Sequence, residues 1–576
     1  MQSEKLMKKV INLIRRVFII NFIIIYSLIL FTSMFLFSEA NEYELNIYNS
    51  YDAKFFLLLF LTLFIIILNF ILLYANYNFK YLLLNIFSLF LYSIVLLGIP
   101  FYRGYAIFPF GDALTHLGYV KIITLDGNLG RDNFYPIIHI FIYYLHTILN
   151  IDIQVVLITF IIINYILLFF GNYLISKVFF EKNNLCPITL AFSAPFILLQ
   201  MTVLVQPAIF SIIFMPIFIY VYINIKRKNY EFRFIVIAIL LSIFIIMIHP
   251  ITAIYVILCL MIVSVFYKYI YKNIKLSDNN MLLILLLIFS TWYLSFSAIK
   301  NNIFAVYQFY IDEGKTSIFE FQVKQAEIIN VPLIYKLYYF IIENYFIILS
   351  IILSLIAIKI IIKYYINNKI NILIPIIAAS FMMCIVSTFG YTGEYSILRI
   401  SRFFLWIVPL VMSLIFLKCI ILNKFKILYI IIIILIFTMN IFYVYPSDRT
   451  MDSNWQTTMS DISTSNWVID KSNEIDTFYT TGLGLKRFAD LNKGTDVDNR
   501  YNSKIINPDF SSENQGILDY YLIIYERNVK HHRIFPEPLI KYARQYNESS
   551  VQKLNLDENV NKIASNNNIV YVIKFY

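Results

Sequence analysis

Long apolar runs that recur along the whole chain constrain its fold more than any other feature. A helix needs about 20 apolar residues to cross a bilayer, and about thirteen such candidate spans follow one another here. They begin near residues 17, 55, 81, 153, 185, 205, 234, 251, 281, 338, 371, 403 and 427. The chain is 60% hydrophobic and only 14% charged, a balance that a soluble domain does not carry. The sequence therefore predicts a polytopic α-helical membrane protein.

Lysine and arginine are unevenly divided between alternate loops, and this sets the predicted orientation. Basic residues resist translocation, so the loops richest in them are cytoplasmic. Placing the N-terminus inside gives about 21 basic residues in the inner segments against about 10 in the outer loops. The formal net charge of +11 then reflects membrane topology rather than nucleic-acid binding. We expect a multi-pass protein of the cell membrane with a cytoplasmic N-terminus.

The first apolar run has two interpretations. A cleaved signal peptide would share the basic start of residues 1–38, but this run exceeds the usual signal-peptide core and lacks a small-residue cleavage site. We therefore expect it to stay as the first helix. An odd number of spans then places the C-terminus outside the cytoplasm.

The predicted domain organisation follows from where the apolar runs stop. Residues 1–445 form the transmembrane domain, with outer loops at 100–152, 298–336 and 390–402. Residues 446–576 are polar, and we expect a small extracytoplasmic α/β domain with strands at 520–525 and 569–576. Catalytic residues are expected in the outer loops.

The first outer loop gathers polar residues at the membrane edge. If residues 112–124 form a helix, Asp112 and His116 lie four apart and share a face, which points a carboxylate and an imidazole at one place. This pattern indicates an acid/base or metal-binding pair. The alternative is an Asp112 that only caps the helix and a His116 exposed to solvent. Asp126 is a second acidic candidate in the same loop.

The loop resembles the corresponding loop of the GT-C glycosyltransferases. It places an acidic residue early, then a short helix ending in Gly127-Asn128-Leu129, then the segment Tyr135-Pro136-Ile137-Ile138-His139 leading back to the membrane. The resemblance implies a GT-C-like fold and Asp112 as the catalytic base. It also implies transfer of a sugar from a polyprenyl-phosphate-linked donor to a glycan, lipid or protein acceptor in the cell envelope.

The chain departs from that family in its acidic residues. It has no Trp-Trp-Asp signature, which disfavours the transfer of whole oligosaccharides to asparagine. Asp112 is also a single carboxylate rather than part of an Asp-x-Asp pair, and a divalent ion prefers more than one carboxylate. We therefore expect inverting transfer without a metal ion or other cofactor.

Further candidates surround the predicted base. A departing phosphate needs cations, and the late outer loop offers Arg399 and Arg402, although arginines there can also anchor a helix end. His249 precedes Pro250 at the outer end of two spans, where it can serve the site or only stabilise the turn. The expected substrate-binding residues are His116, Tyr135, His139, His249, Glu394, Arg399 and Arg402.

Two other functional classes remain open. A transporter or flippase of lipid-linked glycans would need ionisable residues near the middle of its spans, and these are nearly absent. A non-catalytic membrane scaffold would explain the outer domain but would give Asp112 and Arg402 no function. The sequence favours the glycosyltransferase.

Overall fold

The structure is a computed structural model of the 576-residue chain. It describes residues 19, 22–23, 26–27, 29–30, 39–40, 42–75, 77–109, 111–130, 133–180, 185–196, 199, 203–227, 231–269, 280–296, 333–364, 369–389, 402–422, 441–442, 444–447, 454–471, 477–480, 485–495, 504–505, 520–525, 530, 560–566 and 570–575.

Helices dominate the described part up to residue 422. In chain order they are α1 (Ala53–Ala75), α2 (Phe79–Leu97), α3 (Ile99–Tyr102), α4 (Asp112–Asp126), α5 (Pro136–Tyr143), α6 (Ile153–Phe180), α7 (Cys186–Phe196), α8 (Pro207–Ile213), α9 (Met215–Arg227), α10 (Phe232–Ile248), α11 (Pro250–Tyr269), α12 (Asn280–Tyr293), α13 (Leu333–Tyr364), α14 (Leu373–Phe389) and α15 (Val408–Leu422). Short 3-10 turns occupy Ile47–Ser50, Lys369–Ile372 and Arg402–Phe404, and a π turn follows α5 at Tyr144–Ile148.

Five of the described helical segments are long and apolar enough to cross a membrane. They are Ala53–Tyr74, Phe79–Leu97, Ile153–Phe180, Pro207–Ile225 and Tyr345–Tyr364. Shorter apolar helices lie between them, among them α10, α11 and α12. The chain thus has the helices of a membrane protein. The count of about thirteen spans and the orientation of the termini stay predictions.

Prolines fix where three helices begin around the first outer loop. Pro136, Pro207 and Pro250 each occupy the first position of a helix, where the missing N–H costs no hydrogen bond. A residue before proline is pushed towards extended backbone, and His249 accordingly has φ −160° and ψ 124°. Gln206 is likewise extended, with φ −127° and ψ 135°. Both polar side chains therefore stand at helix starts rather than inside spans.

Helix α4 is the predicted loop helix and extends slightly beyond it. The expected range of 112–124 is confirmed, since the helix covers Asp112–Asp126. Gly111 precedes it with φ 96°, a left-handed conformation that side chains disfavour. The preceding residue is thus a glycine and provides no side-chain cap, and Asp112 occupies the first helical turn.

The described C-terminal residues combine two helices with a sheet. Helices α16 (Met459–Lys471) and α17 (Leu485–Lys493) accompany the strands β1 (Thr477–Thr480), β2 (Lys504–Ile505), β3 (Tyr520–Ile524), β4 (Val560–Asn566) and β5 (Val570–Phe575). The strand order is β2-β1-β3-β5-β4. The first three strands are parallel, while β5 runs antiparallel to β3 and β4. Strands thus occur where the sequence predicted them. The division into two domains at residue 446 stays a prediction.

Helix α17 packs directly along α4. A Cβ atom at Gly118 of α4 would lie 2.6 Å from the backbone oxygen of Asp490, so the two helices approach as closely as a glycine permits. Ile122 lies against the turn at Gly494 just after α17. The C-terminal part is therefore in contact with the first outer loop.

A buried polar network joins three distant segments beside this contact. Arg103 forms an ion pair with Glu44, and the Arg103 Nε lies 3.1 Å from Glu44 Oε2. The Tyr105 hydroxyl donates to the same carboxylate at 2.5 Å and accepts from the Asn454 amide at 2.7 Å. Tyr43 donates to the Asn454 backbone oxygen at 2.9 Å. The residues before α1, after α3 and before α16 are thereby held together.

Candidate functional site

Asp112 lies at a junction of three chain segments. Its Oδ1 is 2.7 Å from Nη1 of Arg487 on α17, and its Oδ2 is 3.4 Å from the amide nitrogen of Gln206 before α8. The side chain keeps 43% of its surface exposed. A half-exposed carboxylate at the edge of the helix bundle can receive a proton from an approaching hydroxyl group.

Arg487 and Asp490 are functional candidates that the sequence did not reveal. Both lie on α17, about one helical turn apart, and both reach Thr115 on α4: Thr115 Oγ1 is 3.5 Å from Nη1 of Arg487 and 3.3 Å from Oδ2 of Asp490. Arg487 follows Asp112 by 375 residues, so no local spacing connects them. The only available signal was a polar helix in the predicted outer domain, a feature shared by many surfaces.

His116 forms a hydrogen-bonded chain with His139 and Asn133. The Nδ1 atom of His116 lies 2.9 Å from Nε2 of His139, and Nδ1 of His139 lies 2.7 Å from Oδ1 of Asn133. Asn133 Oδ1 also accepts the backbone N–H of Tyr135 at 3.2 Å, which fixes the orientation of the amide. His139 must therefore donate from Nδ1 and, as a neutral ring, accept at Nε2. His116 donates from Nδ1, which leaves its Nε2 without a proton.

Burial keeps this chain uncharged. His116 is 7% exposed and His139 is fully buried. Burial lowers the pKa of His116 to about 4, although the charge of Asp112 opposes this shift. The interpretation of His116 as a solvent-exposed residue beside a capping Asp112 is therefore wrong. The lowered pKa keeps His116 neutral near pH 7.

The Tyr135 ring contacts both His249 and His116. Their rings are stacked with centroids 5.9 Å apart, and the Tyr135 ring also stands edge-on to His116 at 6.4 Å. His249 Nδ1 lies 3.2 Å from the Thr252 hydroxyl, which accepts from Ser211 at 2.6 Å. The structure thus brings together four predicted site residues: Asp112 and His116 on α4, with Tyr135 and His249 beside them. His139 joins this group through its hydrogen bond to His116.

Of the predicted outer loop at 390–402, the structure describes only its last residue, Arg402. Glu394 and Arg399 lie outside the described residues. Arg402 begins the 3-10 turn before α15 and is 6% exposed, with the neighbouring Phe403 packed on Tyr255 at 4.8 Å. The expected second loop at 298–336 also lies outside the described residues, except for its last positions in α13. Roles for these residues stay predictions.

Asp490 is the second carboxylate of the site and differs from Asp112 in its surroundings. It is 2% exposed, and its Oδ1 is buried without a hydrogen-bond partner in the described structure. Burial raises the pKa of Asp490 to about 6, while Lys486, Thr115 and Arg487 oppose the shift. The Asp112 carboxylate is therefore partly exposed to solvent and paired with Arg487, whereas the Asp490 carboxylate is enclosed between α4 and α17.

Comparisons with known proteins add a structural likeness but no sequence relative. No protein-family model matches the chain, and no curated protein matches it. Among solved structures it is similar to the crystal structure of ArnT from Cupriavidus metallidurans bound to undecaprenyl phosphate. The TM-score is 0.37 and the sequence identity 11%, covering 85% of this chain and 97% of that chain.

Proposed function

We propose that this protein is an integral membrane glycosyltransferase. It moves a sugar from a polyprenyl-phosphate-linked donor to an acceptor on the outer face of the membrane, with inversion at the anomeric carbon and without a metal ion. The observation that carries the proposal is the setting of Asp112. Its carboxylate is half-exposed, lies beside a guanidinium, and stands one helical turn before His116, which the buried His116–His139–Asn133 chain holds in place.

The proposed reaction assigns a separate task to each group. The acceptor hydroxyl oxygen forms a bond to the anomeric carbon, while the bond from that carbon to the donor phosphate oxygen breaks and its electron pair leaves with the phosphate. Asp112 takes the hydroxyl proton as general base. Negative charge grows on the departing phosphate, so a cation placed there stabilises the transition state. His116 and His139 hold α4 and α5 in register and do not take part in proton transfer.

Residues at the helix starts form the surrounding surface. Gln206 contacts Asp112 directly, and an amide beside the base suits hydrogen bonding to sugar hydroxyls. The stacked Tyr135 and His249 provide a flat ring surface next to it. Both features lie at the ends of apolar helices, where a lipid carrier would reach the site from the membrane.

A transfer assay with Asp112→Asn tests this proposal. Membranes containing the wild type or the variant are given radiolabelled polyprenyl-phosphate monosaccharides and a panel of acceptors, with and without a chelator. We expect Asp112→Asn to lower the turnover rate by about 100-fold to 10,000-fold at equal expression, because a positioned general base contributes that much. Wild-type transfer should persist in chelator.

Asp126→Asn is the informative comparison in the same assay. It makes the same chemical change on the same helix, fourteen residues away at an exposed position. Loss of transfer in Asp126→Asn with full activity in Asp112→Asn would move the base to the second candidate. Transfer that both variants retain would contradict the proposed mechanism. Donor movement across the membrane without sugar transfer would favour the transporter.

A further inference from the structure

Arg487 keeps unused hydrogen-bond donors beside the proposed base. Its Nη1 contacts Asp112 and Thr115. Within the part of the chain that the structure describes, its Nη2 and Nε have no hydrogen-bond partner, and 38% of the side chain is exposed. A guanidinium carries five N–H donors in a planar fork that matches a phosphate in a two-point contact.

The donor phosphate needs a cation, and the charged groups around Asp112 favour Arg487 in that role. Asp112 contacts Arg487 and Asp490 contacts Thr115, so an incoming phosphate meets acidic neighbours. Of the two cations expected from the sequence, Arg399 lies outside the described residues and Arg402 is buried beside Phe403 in the turn before α15. Arg487 is by contrast exposed and already in contact with the proposed base.

The ion pair between Arg487 and Asp112 is suited to exchange. Both side chains are more than a third exposed, and ion pairs of this kind are weak because water competes with each partner. The phosphodiester of the donor shares one negative charge between two free oxygens, which match the fork at two points, whereas in the described structure Asp112 contacts Arg487 through Nη1 alone. Inverting transfer also separates the base from the leaving group, which lie on opposite faces of the sugar ring. One guanidinium therefore cannot remain on Asp112 while it holds the phosphate that departs.

We propose that Arg487 is the phosphate-binding residue of this site and that Asp112 holds it only until the donor arrives. The phosphate of the polyprenyl-linked donor takes Arg487 from Asp112, which frees the carboxylate for the acceptor hydroxyl. The C-terminal helix α17 thus supplies a substrate-positioning residue, and the ion pair couples donor binding to exposure of the base. This inference rests on the proposed function for the identity of the ligand.

Direct binding of a polyprenyl phosphate tests the inference without requiring sugar transfer. The full chain in nanodiscs is titrated with undecaprenyl phosphate as wild type, Arg487→Gln, Arg487→Lys, Asp112→Asn and the double variant. We expect at least 10-fold weaker binding in Arg487→Gln and an intermediate loss in Arg487→Lys, which keeps the charge but not the fork. Asp112→Asn should bind several-fold more tightly, because it removes the competing carboxylate, and this gain should vanish in the double variant.

The gain in Asp112→Asn separates phosphate binding from a structural role. If Arg487 only tethers α17 to α4, breaking the pair from either side weakens binding or leaves it unchanged, and the inference is overturned. Lys493→Gln is the matched control, since it removes one positive charge from the same helix at a position paired with Asp470, 3.9 Å away. It should bind like the wild type. Equal weakening in Lys493→Gln and Arg487→Gln would mean that only net charge matters.

Two further ligands identify the source of the phosphate. Inorganic phosphate and nanodiscs rich in phosphatidylglycerol are tested as competitors. Weak competition by both, with the Arg487 dependence confined to undecaprenyl phosphate, supports the proposal. Competition by phosphatidylglycerol at similar concentration would instead make the site one for ordinary lipid headgroups.

The transfer assay keeps this inference distinct from the proposed function. Polyprenyl phosphate binding that depends on Arg487, in a protein that transfers no sugar, would sustain the phosphate site and overturn the transferase. Sugar transfer with a KM for donor unchanged in Arg487→Lys and Arg487→Gln would sustain the transferase and overturn the role of Arg487. A raised KM in both variants, at a wild-type thermal midpoint, supports both.

Discussion

Individual side chains at this site differ chiefly in how much water they keep. Asp112 contacts Arg487 and Asp490 contacts Thr115, yet the first carboxylate is half-exposed and the second is enclosed. The sequence distinguished Asp112 because it stands in a polar loop next to a histidine. It could not distinguish Asp490, because the burial of this side chain depends on the packing of α4 against α17. The sequence of one helix does not show where the other lies.

Asp490→Asn should stabilise the protein at neutral pH. The folded-state pKa of about 6 exceeds the ordinary value of 3.8, so stability falls as the pH rises between these values and stays lower above them. Asparagine removes this cost and still accepts from Thr115. We expect a gain of roughly 1–3 kcal/mol at pH 7.5, shrinking to nothing near pH 4. Thermal unfolding in detergent across this range measures it.

The control for this prediction is Asp470→Asn. Asp470 lies on α16 with 60% of its side chain exposed, so its replacement should barely change the thermal midpoint. A midpoint at pH 7.5 that Asp490→Asn leaves unchanged or lowers would contradict the assigned cost of the buried carboxylate.

At the scale of elements, the site depends on the contact between α4 and α17. Helix α4 was predictable as a short loop helix because Gly127 can adopt the left-handed conformation that ends a helix. The strands β3 and β5 were predictable from short runs of β-branched and aromatic residues. The pairing of α17 with α4 was not predictable, because a close approach at Gly118 requires knowledge of the partner helix. Individual helices and strands could be predicted from local sequence patterns, whereas their arrangement depends on tertiary contacts that a local pattern does not contain.

Gly118→Ala should separate these two helices. The added Cβ would lie 2.6 Å from the Asp490 backbone oxygen, a distance that backbone cannot accept without moving. We expect a loss of about 1–3 kcal/mol in stability, as for other overpacked contacts. We also expect a larger loss of polyprenyl phosphate binding, because α17 carries Arg487. Leu125→Ala, at a position 61% exposed on α4, should affect neither quantity. Unchanged binding in Gly118→Ala would show that α17 does not contribute to the site.

At the scale of the whole molecule, the hydrogen-bond network around Glu44 ties segments from the two halves of the chain together. It joins the residues before α1, the turn after α3 and the segment before α16, and so connects the segment before α1 to the C-terminal part. The sequence predicted a boundary near residue 446, but the contacts across it are extensive. Polar and charged residues scattered over more than 400 positions gave no indication of this network, since each resembles an ordinary loop residue.

Glu44→Gln should weaken this connection strongly. It leaves Arg103, with 7% side-chain exposure, facing a neutral amide, and breaking a buried ion pair from one side costs about 3–5 kcal/mol. The thermal midpoint in mild detergent should fall accordingly. Glu42→Gln is the matched control: its partner Lys530 is 3.6 Å away and the Glu42 side chain is 61% exposed, so we expect a change below about 1 kcal/mol. Equal effects of the two variants would show that the network is not a structural tie.

The separation of Asp112 from Arg487 has a consequence for biosynthesis. Helix α4 is translated 375 residues before the arginine that its first aspartate contacts. Every span between them must be inserted before the two can meet. The helices between them are therefore made before the residue that completes the proposed reaction centre. A nascent chain arrested after α15 would occupy the membrane yet leave any lipid-linked sugar untouched.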